Sequence, residues 1–304
     1  MKKTIIAFVV IVLVGAGIYY FIRSSSTNDD AVIIGDQKVS TTTVTSSDKD
    51  KGKISETKTE LVLGTSAQGR DIKAYFYGTG ETELLFVGGI HGGYSWNTAL
   101  LAYDLMNYFK TNPNTIPENI KVTIIPVLNP DGLNKVVGTS SVFSAANVSK
   151  SEAVTVSGRF NSNNVDLSRN FDCDWQTNAK WQNKDVSGGN SVFSEAESMA
   201  IKNYIELKKP EAVVVWYSAA GGVYSSNCHT GILPETNTLT TTYSKASGYP
   251  AHSDFDFYTT TGDIVNWLAK IKIPAISVLL TNHTDVELDK NLAGVKALIK
   301  LYTK

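Results

Sequence analysis

Apolar residues follow two rhythms along this chain. Short, mostly apolar runs recur at Leu84–Val87 in "TELLFVGGI", in "IKVTIIPVLNP", at Val213–Tyr217 in "EAVVVWYS" and in "PAISVLLT". Such runs predict strands buried on both faces. Between them the spacing turns helical. "WNTALLAYDLMNYFK" places apolar residues at 100, 101, 105, 108 and 109, and "VELDKNLAGVKALIKLY" closes the chain as an amphipathic helix. "SEAESMAIKNYIELKK" opens with Ser194 and carries Glu197 three residues later, the pattern of a capping box. "TELVLGTSAQGRDIKAYFYG" predicts two strands with glycine-containing turns. Strands alternating with helices imply an α/β fold, a mixed, largely parallel twisted sheet with helices on both faces. Ligands in such folds sit beyond the carboxyl ends of the strands. Candidate chemistry therefore falls at His91–Ser95, Asn129–Gly132, Tyr217–Gly222 and Leu279–His283.

The first segment stands apart from this pattern. Lys2 and Lys3 precede an uncharged run from Ile5 to Ile22, and Arg23 follows. As a helix this run spans about 27 Å, close to the hydrocarbon thickness of a bilayer. A cleaved leader, the alternative, would carry small residues where Tyr19, Tyr20, Phe21 and Ile22 stand. Residues 1–23 are thus expected to be a membrane anchor, with the N-terminus inside and the rest of the chain outside the cytoplasm. Residues 24–57, rich in Ser, Thr, Asp and Lys, are expected to be a solvated tether. A globular domain follows over 58–304. The chain has 304 residues, 42% apolar and 19% charged, with a net charge of −1. That balance suits a globular domain and gives no field that would draw in nucleic acid. Two cysteines, Cys173 and Cys228, suit one disulfide in an extracytoplasmic domain; two buried thiols are the alternative.

Six blocks, in order, resemble the zinc metallocarboxypeptidases, the carboxypeptidase A-like family. "GGIHGGYSWN" resembles the family's first metal motif, where a His and a Glu just before a Trp bind zinc. "PVLNPDG" matches a signature turn, and "VDLSRNF" resembles an Asp-x-Asn-Arg-Asn-aromatic block. "WYSAAGGVY" resembles the strand end bearing the second metal His, and "FYTTTGDIVNW" the mobile tyrosine loop. "ISVLLTN" resembles the strand whose Glu is the general base. The likeness covers about residues 58 to 304. It implies a carboxypeptidase A-like fold, zinc, and a substrate that is a peptide, or a cell-wall peptide, with a free C-terminal carboxylate.

The departures fall on the chemistry. His91 is retained. Tyr94 and Ser95 stand where the carboxylate should sit, Ser95 preceding the tryptophan where the resemblance implies Glu, with one apparent extra residue in the loop; Tyr217 stands for the second His and Leu279 for the base. Arg169 survives from the Asn-Arg pair, whose Asn is Ser168. By resemblance Arg159 is the transition-state arginine and Tyr258 the mobile tyrosine. Arg169 is expected to clamp a carboxylate, with Tyr258 covering it and Asp263 suiting an amino-bearing group. An ion pair with Asp131 or Asp166 is the alternative for Arg169.

Zinc needs three good ligands and an open position. A neutral hydroxyl is a poor ligand, and a phenol must first lose a proton with pKa near 10. Losing two of three ligands costs roughly 5–8 kcal/mol, about 10⁴ to 10⁶ in affinity. Without a carboxylate base, roughly 10² to 10⁴ in rate is also missing. The residues therefore predict weak or absent zinc and an impaired, peptide-binding homologue. Two readings compete with it: an active zinc carboxypeptidase with a rearranged site, such as His91 with His229 and an Asp, and a structural or adhesive surface domain.

Overall fold

The computed structural model describes residues 59–304. The anchor expected at 1–23 and the tether expected at 24–57 lie outside the described residues. Among the described residues no helix is long and apolar enough to cross a membrane.

The elements run in chain order as β1 (Glu60–Thr65), β2 (Asp71–Tyr77), β3 (Thr82–Val87), α1 (Trp96–Thr111), β4 (Ile120–Ile125), α2 (Pro130–Val137) and α3 (Glu152–Ser157). Then follow β5 (Asn178–Trp181), β6 (Lys184–Ser187), α4 (Ala196–Lys208), β7 (Ala212–Ser218), β8 (Gly222–Ser225) and α5 (Pro234–Ser247). The chain closes with β9 (Ala251–His252), α6 (Ile264–Lys270), β10 (Ala275–Leu280) and α7 (Leu288–Tyr302). Eight strands form one sheet in the order β1-β2-β4-β3-β7-β10-β8-β9, and β5 pairs with β6 in a separate hairpin.

The four central strands β4-β3-β7-β10 are parallel. The pairs β1–β2, β2–β4 and β10–β8 are antiparallel. The apolar runs explain the division, because β7 and β10 are buried at every position and tolerate helices on both sides. One face carries Leu85, Val87, Val213, Val215 and Leu279 against Ile201 and Ile205 of α4 and Leu268 of α6. The other carries Phe86, Val214, Trp216 and Val278 against Leu101 and Leu105 of α1, Tyr243 of α5 and Leu298 of α7. Strand order reverses between β3 and β7, so a crevice opens beyond their carboxyl ends.

One local expectation is corrected. The α4 N-cap is Glu195 and no side chain caps it. Ser194 instead donates its hydroxyl to Glu195 Oε1 at 2.8 Å, and Glu197 is buried beside Asn161, which donates to it at 3.3 Å. Tertiary hydrogen bonds to the 161–170 segment outcompete the local box. By contrast, Asn129 caps α2 by accepting from Gly132 N at 2.8 Å, with Pro130 at the first helical position.

Candidate functional site

A cavity of about 850 Å³ opens beyond the carboxyl ends of β3, β7 and β10. His91, Tyr217, Leu279, Arg159, Arg169, Tyr258 and Asp263 all line it. The loop after β4 supports the cavity without lining it. There Gly132 and Gly158 press against Gly92 and Gly93: a Cβ at Gly92 would stand 2.7 Å from Gly158 O, and one at Gly93 2.2 Å from Val136 Cγ2. Gly92 also has φ +44, in the left-handed region.

That tight turn decides which residue faces inward. Tyr94, three positions after His91, lines the cavity. Ser95 does not; it is 1% exposed and its Oγ has no partner among the described residues. Of the two residues standing where a carboxylate is expected, Tyr94 therefore faces the cavity and Ser95 turns away from it. Tyr94 meets Trp181 edge-on at 5.0 Å between centroids and lies 4.5 Å from the His283 ring.

The hydrogen bonds around His91 fix its tautomer. Arg159 Nη1 lies 3.2 Å from His91 Nδ1, and a guanidinium can only donate, so Nδ1 is the acceptor. Nε2 then carries the proton and donates to Ser168 Oγ at 2.9 Å. Ser168 donates its hydroxyl to Asp166 Oδ1 at 2.8 Å and accepts a second bond from Arg169 Nη1 at 2.9 Å. Arg159 completes the ring, with Nε and Nη2 each 2.8 Å from Asp166 Oδ2. Its guanidinium is also 4.4 Å from the Trp181 ring centroid. Burial and the neighbouring Arg159 charge lower the His91 pKa to about 4, so the imidazole is neutral. Burial alone would raise Asp166, but Arg159 and His91 outweigh it and hold the carboxyl well below its ordinary value.

Asp131 and Asp166 both have other partners. Asp131 pairs with Arg70 at 2.8 Å, and Asp166 with Arg159. Arg169 donates through Nε to Lys180 O at 3.0 Å and through Nη1 to Ser168 O at 2.8 Å. Its Nη2 has no hydrogen-bond partner among the described residues, on a side chain that lines the cavity under Tyr258, 5.9 Å from that ring. Asp263 is more committed than a substrate contact would be. It caps α6 by accepting from Val265 N and Asn266 N, and it accepts the Tyr217 hydroxyl at 3.1 Å. Burial raises the Asp263 pKa; burial and the Asp263 charge push the Tyr217 phenol well above its ordinary value.

Leu279 lies level with Tyr217 on the neighbouring strand and packs in the apolar layer with it. His283 lies four residues beyond Leu279 in the sequence. Here its Nδ1 is 3.2 Å from Ser218 Oγ, whose one proton is donated to Asn97 Oδ1 at 3.0 Å. The relocated set of His91, His229 and an aspartate is not brought together. Cys173 and Cys228 form a disulfide with Cα atoms 6.1 Å apart, and His229 sits beside it, Nε2 2.7 Å from Asp174 Oδ1. Cys173, Cys228 and His229 are the one group of three or more His, Cys, Asp or Glu residues, among the described residues, whose donor atoms cluster within 4.8 Å.

Comparison with known proteins bears on the fold and the family. The family model described as zinc carboxypeptidase matches residues 50–277, well over half of the chain. Human carboxypeptidase D is 34% identical over 98 residues, 30% of this chain and 6% of that protein, so the chain spans only a small part of that curated relative. Murein-tripeptide amidase MpaA from Escherichia coli O157 has a TM-score of 0.56 at 17% identity, covering 81% of this chain and 93% of that one. Carboxypeptidase A from Helicoverpa armigera has a TM-score of 0.59 at 17% identity, covering 80% of this chain and 66% of that one. The structural likenesses are of fold, and the sequence match supplies the kinship: the chain belongs to the zinc carboxypeptidase family.

Proposed function

We propose that this domain binds peptides by a free C-terminal carboxylate, cell-wall stem peptides included, and does not hydrolyse them by the family's zinc mechanism. One observation carries the reading. The single lone pair of neutral His91, at Nδ1, accepts a hydrogen bond from Arg159, and the other nitrogen bears a proton. A metal ligand needs that lone pair free. Tyr217 keeps its proton, donated to Asp263, so it offers no phenolate. Tyr94 is a phenol whose pKa burial raises further. Leu279 has no proton to move. These residues do not fit zinc.

What remains suits recognition. Arg169 lines the cavity with Nη2 unpartnered among the described residues, and a charge-assisted hydrogen bond to a carboxylate contributes about 1.5–3 kcal/mol. Tyr258 and the aromatic wall of Phe255 and Trp181 supply apolar contact around it. In this reading residues 1–23 anchor the domain to a membrane, outside the cytoplasm, and 24–57 give it reach.

The test pairs metal analysis with calorimetry. The purified chain is expected to contain far less than one zinc per molecule. It should bind a peptide with a free C-terminus, and lose roughly 10- to 100-fold in affinity on C-terminal amidation or on Arg169→Gln. The murein tripeptide named for the Escherichia coli neighbour is one suitable ligand. Stoichiometric zinc with release of C-terminal residues would overturn the proposal in favour of an active peptidase. Equal affinity for acid and amide peptides would leave only a structural domain.

A further inference from the structure

A second donor cluster lies outside the cavity and is independent of how the cavity is read. The chain places two dipeptides against each other, Cys173-Asp174 and Cys228-His229. Their cysteines are bonded, and the Sγ atoms and a ring nitrogen of His229 fall within one sphere of donor contacts, all within 4.8 Å of one another. Asp174 and His229 both adopt left-handed backbone, φ 52 and φ 63. These turns bring their side chains together, so that Asp174 Oδ1 meets His229 Nε2 at 2.7 Å and Asp174 Oδ2 lies 3.9 Å from Cys173 Sγ. The pairing leaves Nδ1 as the ring nitrogen without a partner among the described residues. A carboxylate on one imidazole nitrogen with the other left free is the arrangement that orients histidine towards a metal.

The geometry points to a zinc site formed by Cys173, Cys228 and His229 Nδ1 when the disulfide is reduced, with Asp174 orienting the imidazole and water completing a tetrahedral set. Two soft thiolates and an imidazole favour zinc over the hard cations. In the oxidised chain both sulfurs are spent on each other, so the two states exclude one another. A dithiol is the reductant: its two sulfurs join as a disulfide, the Cys173–Cys228 bond breaks, and its two protons pass to the cysteines. Zinc then displaces both thiol protons. The sulfurs are buried, whereas the side chains of His229 and Asp174 are 72% and 49% exposed, which gives the ion an approach.

Cobalt(II) is the probe. The full chain is reduced with excess dithiol, desalted without oxygen and titrated with cobalt. One equivalent should bind with intense thiolate-to-cobalt absorption in the near ultraviolet, be displaced by zinc, and leave no such band with the oxidised chain. His229→Ala keeps both sulfurs and removes an exposed ring, and it should weaken binding at least 10-fold. If reduction loosens the fold, zinc should restore the near-ultraviolet circular dichroism. A missing thiolate band, undiminished binding by His229→Ala, or a loosened chain that zinc fails to restore would each overturn the proposal. Metal bound in the cavity would give no thiolate band, so the two sites are distinguishable.

Discussion

Acidification withdraws stability from this fold through His91. In the unfolded chain its imidazole titrates near pH 6.5; folded, burial and Arg159 bring it to about 4. Between those values the unfolded chain binds a proton that the folded chain refuses, so stability falls as pH falls. Above 6.5 neither state is protonated and the residue contributes no pH dependence; below 4 the penalty is complete. At 1.36 kcal/mol per unit the full separation is worth about 3 kcal/mol, of which about 2 kcal/mol is already lost at pH 5. Urea unfolding at pH 7.5 and pH 5 measures it, with His91→Gln as the control. Glutamine offers a carbonyl oxygen to Arg159 and an amide proton to Ser168, but it does not titrate. The variant is less stable at pH 7.5 through imperfect packing, yet it should lose about 2 kcal/mol less than the parent on going to pH 5. Other carboxylates titrate alike in both proteins and cancel in the difference. Equal losses would refute the assignment of a neutral His91 held by Arg159.

Further outcomes separate the inward from the outward face of the His91 loop. Tyr94→Glu with Tyr217→His should raise zinc affinity by orders of magnitude, measured by competition with a chromogenic chelator, because both positions line the cavity. Ser95→Glu in place of Tyr94→Glu should give no such gain and should cost several kcal/mol in urea, since it buries a carboxylate where the hydroxyl already lacks a partner. Tyr217→Phe should cost about 1 kcal/mol by removing one donor from Asp263, whose backbone donors remain. Cys228→Ser opens a loop with a sequence separation of 55 and should cost about 4 kcal/mol, lowering the thermal midpoint by roughly 10 °C.

The central strands were legible in the sequence because burial on both faces leaves no room for polar alternation: β3, β7 and β10 read as apolar runs. Helix α5 was not, since "PETNTLTTTYSKAS" is dense in threonine and reads as loop by propensity; burial of Leu239, Thr240 and Tyr243 holds it helical. At the site, residue types and their strand ends could be read from the chain, including His91, Tyr217 and Leu279. Which way each side chain turns could not. Tyr94 rather than Ser95 faces inward because of the glycine turn before it, although the three-residue spacing from His91 was a usable signal. Arg159, Asp166 and Ser168 are close in sequence, but the ring closes on His91 through Arg159 and Ser168, 68 and 77 positions away, and no local pattern records such closure.

The contact of main chain on main chain at Gly92, Gly93, Gly132 and Gly158 has a mechanical consequence. With Gly93 N donating to Gly158 O at 3.1 Å and backbone pressed on backbone, that support beneath the cavity has little room to shift when a guest enters. Accommodation is left to the irregular stretch from Ser253 to Thr261, where Asp254, Phe255, Phe257, Tyr258 and Thr260 line the cavity and Phe257 is largely exposed. A ligand of unusual length should therefore leave the chemical shifts of the four glycine amides nearly untouched while displacing those of that stretch.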